Sequence, residues 1–205
     1  MFNVDSIYSR MPARIKKIPF EAYLSTLCSR FGNCSFSAPL EPVFSALYAL
    51  IWGLRAEYIT RGVSRYLGLA LLSGARYSQI TACACELAGS VLSLSLPGLK
   101  GGRSTSNVYT LQPGAFAWAS EALPRGIEVP SDDALAFSLK RMSPSLYDHP
   151  YPGHHSLSHM PRYFVVNLLR GPLGFDSFRV SDFLGLEDPK TLSYYEDMKF
   201  LRDLV

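Results

Sequence analysis

The chain has 205 residues, 48% of them hydrophobic and 18% charged, with a net charge of +3 and a pI of about 8.7. This excludes a disordered polar chain and supplies apolar residues for one sizeable core or two small ones. Four cysteines at this length do not make a disulfide scaffold, so free thiols in a cytoplasmic protein are expected.

The N-terminal MFNVDSIYSRMPARIKK has no apolar run behind its basic residues and does not read as a secretory signal. Phe20 to Leu27 predicts a short helix, within an N-terminal helical extension over 1–40. From Glu41 to about Thr60 the apolar residues Val43, Phe44, Leu47, Leu50, Ile51 and Leu54 recur at helical spacing, and Pro42 suits a first turn. Its most apolar part, VFSALYALIWGL, is twelve residues long. That falls short of the ~20 a spanning helix requires, so no membrane partner is expected. Gly62 to Leu69 predicts a second helix. After the break Leu71-Leu72-Ser73-Gly74, a third helix is expected from about Ala75 to Val91, with Ile80, Ala84, Leu87 and Val91 as its apolar stripe. Leu94–Leu96 and Asn107–Leu111 read as two strands joined by the glycine-rich, basic loop PGLKGGRSTS.

Positive charge gathers around this loop. Arg55, Arg61, Arg65, Arg76, Lys100 and Arg103 face only Glu57 and Glu86 between Arg55 and Arg103, whereas the segment from Gly171 to Val205 is acidic. The order of long helix, short helix, turn, helix, strand, basic loop and strand resembles the winged helix-turn-helix family of DNA-binding domains. "VSRYLGL" stands for its second helix, "SQITACACELAGSVLSL" for its third and "PGLKGGRSTSNVYTL" for its wing. The resemblance implies a mainly α protein with a small β-hairpin wing, an α+β fold, over 41–111.

"VSRYLGL" at 63–69 recurs as "VSDFLGL" at 180–186, and RYFVVNLLR at 162–170 predicts a helix ahead of the second copy. Asp188 and Pro189 provide an N-cap and first-turn pair behind it. The chain therefore resembles two winged-helix units in tandem, like plasmid replication initiators and related mobile-element regulators. The second unit, 162–205, is acidic and ends without a wing, which suits dimerisation or a protein partner better than DNA. Between the units, 112–161 reads as a helical connector, with Ser131 to Asp133 capping a short helix, followed by a Pro/His-rich loop.

The resemblance implies that the third helix enters the major groove of double-stranded DNA. Gln79 would then read adenine, Ser78 and Thr81 would donate to base or phosphate, and Arg76 would lie in the first turn. Lys100 and Arg103 would reach the sugar-phosphate ridge from the glycine-rich loop. Ser104, Thr105, Ser106 and Asn107 would donate to phosphate oxygens. A homodimer on an inverted repeat is expected, with a role in transcription or in replication or partition of a mobile element. The competing reading is a winged-helix adaptor that binds protein and no DNA.

Catalytic signals are weak. No G-x-S-x-G motif is present. Asp148, His149, His154, His155 and His159 crowd together without a recognised zinc spacing. The expectation is a protein that is no enzyme and has no cofactor or metal. Cys83 reads as core filler and Cys85 as lying on the DNA face of the third helix, with a redox link to Cys28 or Cys34 as a further reading.

A phosphate-contacting loop predicts that the log–log dependence of duplex affinity on salt has a slope of several units, and that Arg103→Ala lowers it by about one. Fluorescence anisotropy at several salt concentrations measures it, and a flat response favours the adaptor.

Overall fold

The computed structural model describes residues 16–32, 34, 40–54, 58–99, 102–136 and 157–196. Over these residues the protein is α-rich with a three-stranded antiparallel sheet in the order β1-β2-β3. Helices α1 (Phe20–Phe31), α2 (Glu41–Trp52), α3 (Arg61–Ser73) and the short α4 (Tyr77–Thr81) come first. The strands β1 (Ala84–Ala88), β2 (Val91–Leu96) and β3 (Thr105–Thr110) follow, then α5 (Pro113–Ala122) and a short helical stretch at 132–136. A 3₁₀ turn (Leu157–His159) leads into α6 (Met160–Arg170) and α7 (Ser177–Phe183), and a second 3₁₀ turn covers Pro189–Tyr194.

At the centre lies α3. Thr60 caps its start by accepting from the Val63 N–H at 3.1 Å. Apart from Arg65, its residues from Val63 to Ser73 are buried. An all-round apolar helix has to be covered on every side, and α1, α4, α5 and α6 all pack against this one. The interior is one continuous apolar cluster, running from Ile18 and Tyr23 of the N-terminal region to Leu192 and Tyr195. α6 is equally enclosed, buried from Met160 to Leu169 between α2, α3 and α7.

The C-terminal end of α3 is bound from several sides. A helix leaves its last four carbonyls without internal partners. Here the Ala70 carbonyl accepts from the N–H of Gly74, which closes the helix in the left-handed conformation at φ 61°. The Leu71 carbonyl accepts from the Tyr23 hydroxyl at 3.2 Å, and the Leu72 carbonyl from the Tyr109 hydroxyl at 2.7 Å. Both tyrosines are fully buried, and burial raises their phenols above the usual range.

Leu92, Leu94 and Leu96 turn one face of β2 inward, opposite Tyr109, Asn107 and Thr105 of β3. α1 is stitched along β3: Ser29 Oγ accepts from the Thr110 N–H, and Thr26 Oγ1 from the Gln112 N–H.

The expected third helix over 75–91 is corrected. Only Tyr77–Thr81 is helical, and Ala84–Ala88 pairs with β2 in a hairpin whose turn is Gly89–Ser90. The apolar positions Ile80, Ala84 and Leu87 fit a helical stripe, but Gly-Ser between two runs of β-compatible residues is a hairpin signal, and pairing with β2 decides the matter. The helix that a winged helix lays in a groove is therefore five residues long here. α2 ends at Trp52, before Gly53, rather than near Thr60, and α3 runs four residues past Leu69.

The repeated heptapeptide has two different fates. In 63–69 it lies wholly inside α3, and Gly68 there faces Trp118. In 180–186 the helix ends at Phe183 and the glycine, Gly185, makes a turn at φ 68°. Other expectations agree with the structure. Pro42 stands in the first turn of α2, Ser131 Oγ accepts from the Ala134 N–H, and the Asp188 carboxylate accepts from the Lys190 N–H. Among the described residues no helix is long and apolar enough to cross a membrane.

Trp118 crosses α3 at Gly68, its indole N–H shared between the Ser64 carbonyl and hydroxyl. A Cβ at Gly68 would lie 2.0 Å from Trp118 Cζ2. Gly68→Ala is expected to destabilise the fold by about 1–3 kcal/mol through overpacking, read as a lower urea midpoint at unchanged slope.

Candidate anion-binding and nucleophile site

The turn that leaves α3 delivers Arg76 as the residue preceding α4. Gln79 holds it there. The Gln79 Oε1 accepts from the Arg76 backbone N–H at 3.1 Å, and its Nε2 donates to the Pro97 carbonyl at 2.9 Å. Gln79 is buried by these contacts, and it ties the start of α4 to the end of β2. The Arg76 side chain is half-exposed and lines a cleft of about 230 Å³ shared with Leu99, Gly102 and the segment from Leu184 to Asp188.

Arg162 approaches the same turn from α6. Its side chain is 1% exposed, and Nη1 donates to the Gly74 carbonyl at 2.8 Å. Its guanidinium carbon lies 4.9 Å from the centre of the Tyr195 ring. Tyr195 is itself buried, and its carbonyl accepts from Asn167 Nδ2 at 2.7 Å. The Nε and Nη2 of Arg162 have no hydrogen-bond partner among the described residues. Burial, and after it the charge of Arg76, bring the Arg162 guanidinium down to about 10, while Tyr195 acts in the opposite sense. A cation this deep normally has a carboxylate partner. Among the described residues its charged neighbour is Arg76, and the Tyr195 phenol covers its face. A guanidinium with unpartnered N–H groups close to a second guanidinium suits an oxyanion, and the planar fork of arginine matches phosphate oxygens.

The residues expected to touch DNA are dispersed by the fold. Ser78 is half-buried and Thr81 exposed on α4. Arg103 is exposed and lies 3.7 Å from the Asp182 carboxylate, itself exposed, a pair of small energetic weight. The Arg103 N–H donates to the Gly185 carbonyl, which docks the β2–β3 loop on the turn after α7. Ser104 and Ser106 are exposed, and Ser104 Oγ accepts from the Gly98 N–H. Thr105 is half-buried. Asn107 is buried, and its Oδ1 accepts from Arg30 Nε at 2.7 Å. Lys100 lies outside the described residues, as do Asp148, His149, His154 and His155. Of the expected residues, Arg76 and Gln79 converge on the cleft.

Arg162 and Tyr195 carried no sequence signal of their own, because RYFVVNLLR reads as an amphipathic helix with a charge at each end. The available hint was His159 three residues ahead of Arg162, two polar groups one turn apart at the start of an otherwise apolar helix.

No protein-family model and no curated protein matches the sequence. Among solved structures the chain is similar to the XerH site-specific recombinase bound to difH substrate in a pre-cleavage complex. Identity is 13% and the TM-score 0.49, over 83% of this chain and 52% of that one. It is also similar to the same recombinase bound to a palindromic difH substrate in a post-cleavage complex, at 14% identity and a TM-score of 0.44, over 94% of this chain and 53% of that one. The chain spans about half the length of these solved chains. Both neighbours are recombinases, which stands against the expectation of a protein that is no enzyme.

Gln79 and Arg76 separate structure from function at this site. Gln79→Ala removes two hydrogen bonds and strands the Pro97 carbonyl, and is expected to cost about 1–3 kcal/mol. Arg76→Ala is expected to change stability by less than about 0.5 kcal/mol, since its side chain is half-exposed. Chemical denaturation of both variants measures the difference.

Proposed function

We propose that the chain binds duplex DNA and cuts and rejoins its phosphodiester backbone, with Tyr195 as nucleophile and Arg76 and Arg162 holding the phosphate. The observation that carries this reading is the buried Arg162 guanidinium, whose Nε and Nη2 have no hydrogen-bond partner among the described residues, against the Tyr195 ring and within the electrostatic reach of Arg76. Basic residues around the β2–β3 loop supply the long-range attraction to a phosphate backbone. These side chains carry the reading; the fold overlap with the recombinase does not.

The chemistry needs no cofactor. The phenol oxygen of Tyr195 gives up its proton and attacks phosphorus, a P–O bond to tyrosine forms, and the bond to one deoxyribose oxygen breaks. That oxygen leaves as a hydroxyl after taking a proton. Attack by a deoxyribose hydroxyl on the phosphotyrosine reverses the step, so bond energy is conserved and strands can be rejoined. The two arginines neutralise charge on the phosphate as it becomes five-coordinate, and burial of Arg162 makes its N–H groups fixed donors that need no reorganisation. We assign proton movement to His159, at the start of the helix that carries Arg162.

Duplexes are first selected for binding from a random pool, then incubated with the protein and resolved in detergent. A covalent protein–DNA adduct is expected, lost in Tyr195→Phe and kept in Tyr194→Phe. Arg162→Ala is expected to slow adduct formation by roughly 10²–10³, the usual cost of losing one fixed donor to a developing charge. Binding with no adduct in any duplex, or an adduct that survives Tyr195→Phe, rejects Tyr195 as nucleophile.

A further inference from the structure

Away from the arginine–tyrosine site, Cys83 and Cys85 stand where the chain leaves α4 and enters the edge strand β1. Cys85 therefore lies on a strand, not on a groove-facing helix as the sequence suggested. Both thiols are half-buried and free. Arg65 reaches them from α3. Its Nη1 is held by the Arg125 carbonyl, and its Nη2 donates to Cys85 Sγ at 3.2 Å. The Arg65 Nε has no hydrogen-bond partner among the described residues. A guanidinium fixed by a backbone carbonyl and aimed at sulfur, beside a second thiol, is an arrangement that favours thiolate chemistry.

We propose that Cys85 is a nucleophilic thiol that reacts with small peroxides, and that Cys83 resolves the product into a Cys83–Cys85 disulfide. In the first step the Cys85 sulfur attacks one peroxide oxygen. An S–O bond forms, the O–O bond breaks, and the departing oxygen takes a proton to leave as water or an alcohol. In the second step the Cys83 sulfur attacks the sulfenic sulfur, the S–O bond breaks, and hydroxide leaves as water with the Cys83 proton. Two thiols lose two electrons and the peroxide gains them. This site is independent of the DNA reading and stands or falls without it.

The local electrostatics agree with the geometry. The hydrogen bond from Cys83 brings the Cys85 thiol down to about 6, partial burial opposes this, and the charge and N–H of Arg65 add to the lowering. The same hydrogen bond raises Cys83, as expected of the donor. Glu86 is exposed on the other face of β1, and Arg125 offers its carbonyl to the group. Cys28 is the built-in contrast: burial first, and Cys34 second, push it up to about 12.

The test is iodoacetamide labelling of the full chain at pH 6, read by peptide mass mapping. A thiol ionised at that pH, discounted for its lower intrinsic nucleophilicity, should react roughly tenfold faster than an unperturbed peptide thiol. Cys28 should react more slowly than that reference. Arg65→Gln should reduce the excess rate at Cys85, and Arg65→Lys should reduce it less. With hydrogen peroxide, the chain should yield a Cys83–Cys85 peptide lacking two hydrogens, whereas Cys83→Ser should stop at a sulfenic acid captured by dimedone on Cys85. If Cys85 labels no faster than the peptide, or Cys28 or Cys34 oxidises first, the proposal is overturned. If the Arg65 variants fail to fold, the pH dependence of labelling in the unaltered chain decides. A midpoint near 6 supports the site, and one near the ordinary thiol value of about 8.5 overturns it.

Discussion

The constraint on which the rest of the molecule depends is the buried C-terminal end of α3. A helix that stops inside a core exposes carbonyls to an environment that cannot hydrate them. The protein answers with donors from distant segments: Gly74 itself, Tyr23 from α1 and Tyr109 from β3. The next carbonyl along, that of Gly74, accepts from Arg162 of α6. One helix end thus gathers the N-terminal helix, the sheet and the C-terminal helices. The turn that emerges from this knot carries Arg76, so the position of the half-exposed arginine is set by a densely hydrogen-bonded part of the structure.

The second consequence is electrostatic. Satisfying a carbonyl with a guanidinium brings a full charge into the core, where desolvation disfavours it. The described residues place no carboxylate against Arg162. Its neighbours are a tyrosine ring and another arginine, both of which leave N–H groups unspent. A structural network would be expected to complete these bonds internally. Leaving them open is what a site for an external oxyanion requires, and the cost of holding two like charges together is offset when the anion arrives.

Next to the Arg76 cleft, the sheet and the turn after α7 are bonded together around a second depression lined by Arg30, Arg103, Asn107 and Asp182. Asn107 is pinned by Arg30 of α1, and the loop before β3 is bonded through Arg103 to the Gly185 carbonyl. The loop that reads in sequence as a free cationic finger is therefore docked at its base, and its exposed Arg103 and Asp182 form a loose pair at the rim. Within α3 itself, Arg65 donates to Cys85 Sγ. Two arginines of one neighbourhood in sequence, eleven residues apart, meet different partners, Arg65 the Cys85 sulfur and Arg76 the cleft beside Gln79.

Local pattern was enough to place α1, α2 and α6, the β2–β3 hairpin, Pro42 in a first turn and the caps at Ser131 and Asp188, because each depends on spacing or on backbone groups a few residues away. It failed between Ala82 and Val91, where a stripe compatible with a helix also alternates as a strand, and only pairing with β2 separates the two. It failed again at the repeated heptapeptide, whose copies differ because one is enclosed on all sides in α3 and the other ends at a turn. Arg76 and Gln79 were visible as polar residues of a first turn. Their joining with Arg162 and Tyr195 was not, since no local rule relates residues 86 and 119 positions from Arg76. The sequence by itself determined the apolar helices, the hairpin and the basic loop; only packing of α6 on the end of α3 decided that a guanidinium would be buried against the Tyr195 ring and within the electrostatic reach of Arg76, because burial and charge proximity are properties of the assembled core.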